Sequence, residues 1–133
     1  IGDGSGLIGI TRQRRTGVPE YRMTRFGLDG SVRDLREDVG NFALVVGEKG
    51  DRILFQEKGD SWHTCDLNGG DVEMVGKGLS RLDFPSASPD GKRVIMIEHD
   101  EKEQTCPVVV DLATGEVKKA KAEEGRWVLP VWR

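Results

Sequence analysis

Five arginines near the start of the sequence are the residues that most directly suggest binding chemistry: Arg12, Arg14, Arg15, Arg22 and Arg25. Residues 11–25 contain one acidic residue, Glu20, so the segment carries +4. The whole chain carries −3, which leaves −7 for the other residues. Because guanidinium groups suit carboxylate and phosphate partners, the segment is a candidate loop for binding an acidic protein partner. The alternative is a solvated basic loop without a ligand.

The histidines and cysteines are the other residues whose side chains could bind a metal ion. His63 and Cys65 alternate along a predicted strand and share one face, but such a pair falls short of the ligands of a zinc site. His99 begins a run of alternating charge that is typical of a solvated loop, with a calcium contact as the alternative. Cys65 and Cys106 are too few for a disulfide framework. We predict no metal site and no cofactor.

The sequence also lacks the spacings of common catalytic sites. Gly2, Gly4 and Gly6 have neither the spacing nor the following helix of a dinucleotide-binding fingerprint. No P-loop and no Gly-x-Ser-x-Gly elbow occurs. We therefore predict that the chain has no catalytic residues and is not an enzyme.

The composition is that of a protein with a modest apolar core. Hydrophobic residues make up 36% of the chain and charged residues 32%. No apolar run approaches the roughly 18 residues that a membrane span requires, so we expect no membrane insertion. The net charge of −3 argues against a general nucleic-acid partner.

Glycine-containing turns recur at regular intervals and predict the strands that position these residues. Gly4, Gly50 and Gly91 are 46 and 41 residues apart, and an apolar strand begins three positions after each. A second hairpin follows in each unit, around Asp29-Gly30, Asn68-Gly69 and Thr114-Gly115. Asp-Gly and Asn-Gly between apolar residues favour a tight hairpin turn, because the central residues need positive φ. Each unit therefore predicts four antiparallel strands, A to D.

The innermost strand, A, is predicted at 42–46, 84–87 and 127–132. The segments 35–39 and 118–124 could be helical on propensity alone, but they fall where links between strands D and A are due. Residues 11–20 are expected to form the longest loop between strands B and C.

Units of 40–45 residues with four strands are typical of the blades of a β-propeller. We predict an all-β chain with one module of three four-stranded blades. Their expected boundaries are about 1–40 for the first blade, which lacks strand A, 41–80, 81–124, and an orphan strand A at 125–133. The alternative is an ordinary β-sandwich.

The third unit carries a recognisable motif, Phe84-Pro85-Ser86-Ala87-Ser88-Pro89-Asp90-Gly91-Lys92-Arg93-Val94. It resembles the Ser-Pro-Asp-Gly segment that joins strands A and B in TolB-like β-propellers, and 111–117 resembles their outer hairpin. Proline presets φ for the turn, Asp90 can accept hydrogen bonds from turn amides, and Gly91 suits the left-handed position. The middle unit departs from the motif with Gly47-Glu48-Lys49-Gly50.

The resemblance implies a six-bladed ring that acts as a non-catalytic protein-interaction scaffold in the bacterial periplasm or outside the cell. The alternative function is the gating or substrate-binding propeller of a larger hydrolase or carbohydrate-processing enzyme. The 133 residues correspond to three blade periods. Two copies could therefore close one ring, each completing the other's first blade with a strand that contains Trp127, Val128, Val131 and Trp132. The alternative is that the sequence is a fragment of one longer chain.

Overall fold

The computed structural model describes residues 6–15, 17–57, 61–76, 79, 82–99, 101–102 and 104–119. These residues form antiparallel sheets and contain no helix, so the all-β prediction is confirmed. The strands are β1 Gly6–Arg15, β2 Val18–Gly27, β3 Val32–Arg36, β4 Val39–Val46, β5 Arg52–Glu57, β6 Trp62–Asp66, β7 Glu73–Met74, β8 Leu82–Ala87, β9 Arg93–His99, β10 Thr105–Asp111 and β11 Val117–Lys119.

The strands belong to three sheets in which sequence neighbours pair with one another. The first sheet has the order β1-β2-β3, the second β4-β5-β6-β7, and the third β8-β9-β10-β11. The short connections between consecutive strands of a sheet explain this arrangement, because a short connection can join only antiparallel neighbours. Within the described part of the chain, the first sheet has one strand fewer than the other two.

The second sheet lies between the other two and is apolar on both faces. Ile53 and Phe55 of β5 belong to a cluster shared with the first sheet, whereas Leu54 belongs to a cluster shared with the third. Side chains alternate between the faces of a strand, so the consecutive apolar residues of β5 supply both layers. The larger cluster contains the fully buried Trp62.

Aspartates organise the hairpin turns that the sequence predicts. Asp66 accepts hydrogen bonds from the amides of Asn68 (2.8 Å) and Gly70 (3.0 Å). Asp111 accepts them in the same way from Ala113 (2.9 Å) and Thr114 (3.0 Å). These bonds hold the turn amides and lower the pKa of Asp111, the largest cause being the amide of Thr114.

The turn at Asp90-Gly91 has the conformation predicted from the motif. Gly91 has φ of +67°, and Asp90 accepts a hydrogen bond from the Lys92 amide at 3.0 Å. The Gly91 carbonyl also accepts a hydrogen bond from the Gly47 amide at 2.9 Å. The turn therefore joins the third sheet to the second as well as reversing the chain.

The predicted loop at 11–20 is wrong. β1 continues to Arg15 and β2 begins at Val18, so the two ten-residue strands form one long hairpin. Gly17 has φ of +82°, which supplies the positive φ of a tight turn. The charged sequence suggested a loop, but cross-strand pairing continues through it, as in the pair Arg12–Tyr21.

Two strands predicted as strand A begin earlier than predicted, and each contains an irregularity. β4 begins at Val39, with a register shift before Ala43, and β8 begins at Leu82, with a shift before Ser86. The link between β3 and β4 is short and not helical, and Asp38 takes φ of +53° there. The predicted orphan strand with Trp127, Val128, Val131 and Trp132 lies outside the described residues.

Candidate functional site

The candidate arginines lie on the strands of the first sheet. Arg12 is exposed and pairs with Tyr21 across the β1–β2 hairpin, and Arg14 and Arg15 continue the backbone of β1 to its end. Arg22 and Arg25 lie on β2. The five residues therefore lie on the β1–β2 hairpin, and strand alternation separates Arg22 from Arg25 onto opposite faces.

Arg22 is held in a polar network on the outer face of the first sheet, the face turned away from the second sheet. Its guanidinium lies 3.0 Å from a carboxylate oxygen of Asp34 and 3.3 Å from one of Glu37. Asp34 also accepts a hydrogen bond from the Thr24 hydroxyl at 3.0 Å. The Thr24 hydroxyl and then Arg22 lower the pKa of Asp34, and the hydrogen bond to Asp34 raises the pKa of Arg22. Arg22 is therefore engaged within the chain.

Arg25 is in a different setting, opposite another arginine. It pairs in register with Arg33 of β3, a residue that the sequence analysis did not select. Both line a surface depression of about 550 Å³, together with residues of the connecting turn: Gly27, Leu28, Asp29 and Ser31. In the sequence, Arg25 and Arg33 are equally many residues before and after Asp29. A hairpin centred on Asp29 pairs such residues, and this symmetry could have identified Arg33.

An apolar row crosses the outer face of the first sheet. Leu7 pairs with Phe26, and Phe26 pairs with Val32, so the three side chains lie on one face of three adjacent strands. Leu7 is 56% exposed and Val32 64% exposed. The sequence analysis did not identify this row, because the face of each residue depends on the register of the hairpins.

His63 and Cys65 lie on the face of β6 that is turned toward the first sheet. The His63 ring stacks on Phe55 at 5.8 Å, and its Nδ1 is 3.9 Å from the Glu57 carboxylate. Burial raises the pKa of Cys65 to about 11, so its thiol stays protonated at neutral pH. This pair therefore belongs to the packing between two sheets.

His99 lies at the end of β9, and its Nε2 is 3.1 Å from the Asp83 carboxylate. Among the residues that the structure describes, no group of three or more His, Cys, Asp or Glu side chains could hold a metal ion. The same residues contain no helix long and apolar enough to span a membrane.

No protein-family model matches the sequence, and no curated protein matches it. Solved structures do resemble its fold. TolB from Acinetobacter baumannii superposes with a TM-score of 0.66 at 19% identity, over 88% of this chain and 30% of TolB. The β-propeller domain of the Trilobed protease from Pyrococcus furiosus gives 0.63 at 14% identity, over 88% and 39%. An oligogalacturonate lyase in complex with manganese gives 0.61 at 18% identity, over 95% and 39%.

The chain spans between 30% and 39% of the length of these three structures. The likeness concerns the fold, and it agrees with the meander sheets and with the Ser-Pro-Asp-Gly segment. The chain thus has the fold of part of a β-propeller, and the likeness to TolB supports the TolB-like resemblance of its sequence.

Proposed function

We propose that this chain is a non-catalytic protein-interaction scaffold and that it forms three blades of a TolB-like β-propeller. The observation that carries the proposal is the apolar row of Leu7, Phe26 and Val32, in which Leu7 and Val32 are exposed. Stacked blades of a propeller cover such a face with the next blade. Left in water, large apolar side chains forfeit up to roughly 1.5–3 kcal/mol each. The row therefore favours association with a further sheet.

We propose a second copy of this chain as the source of that sheet, so that two copies form a six-bladed ring. In this proposal the third sheet supplies the matching face, where the half-buried Ile95 and Val109 pair opposite the core residues Val94 and Val108. In a two-fold assembly the first sheet of each copy would cover the third sheet of the other, and both apolar faces would be buried.

The β1–β2 hairpin, which carries the candidate arginines, is the proposed docking surface for a protein partner. Arg12, Arg14, Arg15 and Arg25 are its binding residues in this proposal, whereas Arg22 serves the internal network with Asp34. Cross-strand pairing holds the backbone of the hairpin, which lowers the ordering cost of binding relative to a flexible loop. The TolB-like resemblance leads us to propose a periplasmic or extracellular location.

The alternative is that the chain is the propeller part of a hydrolase or a carbohydrate-processing enzyme. The fold likeness to the Trilobed protease and to the oligogalacturonate lyase favours this candidate. The sequence of the full-length gene product distinguishes the two functions. The alternative requires a catalytic domain or a complete lyase active site in that product.

A single substitution on the apolar row tests the proposed assembly. Val32→Lys places a charge on the outer face of the first sheet and should shift the chain toward monomer in sedimentation velocity. Met74→Lys is the matched control, because Met74 is 55% exposed on the edge strand of the second sheet. Circular dichroism confirms the fold of both variants. If Val32→Lys associates as the unmodified chain does, the apolar row is not the interface.

A further inference from the structure

We propose that Arg25 and Arg33 form a binding site for a carboxylate group within an acidic peptide segment of a protein partner. The proposal deepens the binding function proposed above and rests on it. It assigns one anion-binding position to the depression beside the β2–β3 turn and adds Arg33 to the candidate arginines.

Strand register makes Arg25 and Arg33 cross-strand neighbours. Arg25 and Arg33 are directly opposite in the antiparallel pair of β2 and β3, so their side chains project from the same face as neighbours. Within the described part of the chain, neither side chain forms an ion pair with an acidic residue. Like charges directly opposite each other are unfavourable, and a bound anion removes that repulsion.

Two other arginines of the first sheet form ion pairs within the chain and serve as a comparison. Arg22 is paired with Asp34 at 3.0 Å, and Arg36 is paired with Glu57 at 3.5 Å. Arg22 and Arg36 thus have acidic partners, whereas the described residues supply none to Arg25 or Arg33.

Asp29 lines the same depression, but its carboxylate is engaged in the turn. It accepts a hydrogen bond from the Ser31 amide at 2.9 Å. The hydrogen bonds from the Ser31 side chain and amide are the leading causes that lower its pKa. This carboxylate therefore caps the turn and stays ionised, and it forms no ion pair with Arg25 or Arg33.

The surroundings favour a peptide over a small inorganic anion. Leu28 lines the depression and is 80% exposed, which places an apolar surface beside the two guanidinium groups. A glutamate or aspartate next to an apolar side chain matches both features. Two guanidinium groups can donate several charge-assisted hydrogen bonds to one carboxylate, which fixes its position.

The probe for this site is a fluorescein-labelled peptide of alternating glutamate and leucine, with a glutamine–leucine peptide as its neutral counterpart. Fluorescence anisotropy at constant ionic strength measures its binding to the unmodified chain and to Arg25→Gln, Arg33→Gln and Lys49→Gln. Lys49 is exposed in the turn between β4 and β5. Lys49→Gln is the control, because it removes one positive charge at a distance from the proposed site. We expect each arginine variant to weaken binding about tenfold or more, and Lys49→Gln to change it less than about twofold.

Four outcomes would overturn the proposal. The first is that the glutamate peptide does not bind at millimolar protein, and the second is that the glutamine peptide binds equally well. The third is that Lys49→Gln weakens binding as much as the arginine variants do. The fourth is that millimolar inorganic phosphate displaces the peptide, which would indicate a phosphate site. The thermal midpoint supplies a second measurement, because the arginine variants should not lower it if the two charges repel. Light scattering of the same variants separates this test from the proposed assembly, since loss of peptide binding should leave the molar mass unchanged.

Discussion

At the scale of single residues, the arginines of the β1–β2 hairpin have different roles that composition alone does not separate. Arg22 has its side chain 16% exposed and bonded to two carboxylates, whereas Arg12 on the neighbouring strand is exposed. Because side chains three positions apart lie on opposite faces of a strand, Arg22 joins the outer network and Arg25 joins Arg33. The basic segment 11–25 could be predicted from the sequence. Which arginine is bonded within the chain and which is exposed depends on cross-strand register.

The contrast between Arg22 and Arg12 predicts different effects on stability. Arg22→Ser should lower the thermal midpoint, because Asp34 and Glu37 lose the cation that neutralises them. Arg12→Ser should leave the midpoint unchanged, since an exposed arginine contributes little. Differential scanning calorimetry of the two variants at neutral pH measures this difference. Equal midpoints would show that the network does not contribute to folding.

The lowered pKa of Asp34 predicts a dependence of stability on acid. A carboxylate whose pKa is depressed in the folded state stabilises the fold above its unfolded pKa of about 3.9, and this contribution is lost as the pH falls toward the folded value. Urea unfolding between pH 6 and 3 should therefore show a steeper loss of stability for the unmodified chain than for Asp34→Asn. Identical slopes would contradict the assigned hydrogen bonds. The turn aspartates, unchanged in both proteins, provide the common background.

At the scale of elements, turn chemistry was the part of the structure that the sequence predicted best. The hairpins at Gly30, Gly69 and Gly115 occur where predicted, and each glycine has positive φ. A tight turn is decided by a few adjacent residues, so its signal is local. The pairing of β1 with β2 was expected, but its extension to a turn at Gly17 was missed, because this turn has no Asp-Gly or Asn-Gly pair and the arginines before it suggested a loop. The length of the two strands depends on cross-strand pairing along the whole hairpin, which no short motif in the sequence indicates.

Contacts between sheets predict that two glycines of similar conformation differ in their tolerance of alanine. Gly91 and Gly30 have φ of +67° and +83°. A Cβ at Gly91 would lie 2.0 Å from the Gly47 carbonyl oxygen, whereas a Cβ at Gly30 meets nothing within 4 Å. Gly30→Ala should cost about 1–2 kcal/mol from left-handed backbone strain alone.

Gly91→Ala should cost about 1–3 kcal/mol more than Gly30→Ala, because the added methyl group must displace the backbone of the neighbouring sheet. Urea unfolding of both variants gives the two free energies of unfolding. Equal costs would mean that the A–B turns of the second and third sheets do not pack as the structure shows.

At the scale of the whole molecule, three meander sheets pack in sequence order around β4, which contacts both β1 and β8. The all-β class and the propeller resemblance could be predicted from the spacing of the glycine turns. The apolar row of Leu7, Phe26 and Val32 could not, because it depends on which face of the first sheet packs on the second. That row is the reason for proposing that the molecule functions as an assembly.

The molar mass of the unmodified chain in solution tests the proposed assembly most directly. Light scattering coupled to size-exclusion chromatography, at several protein concentrations, should give a species of about 29 kDa, which is twice the 14.7 kDa of one chain. Such a mass is expected if two copies bury the outer faces of their first and third sheets against each other. A well-folded species of 14.7 kDa that persists at high concentration would contradict the six-bladed assembly of two copies.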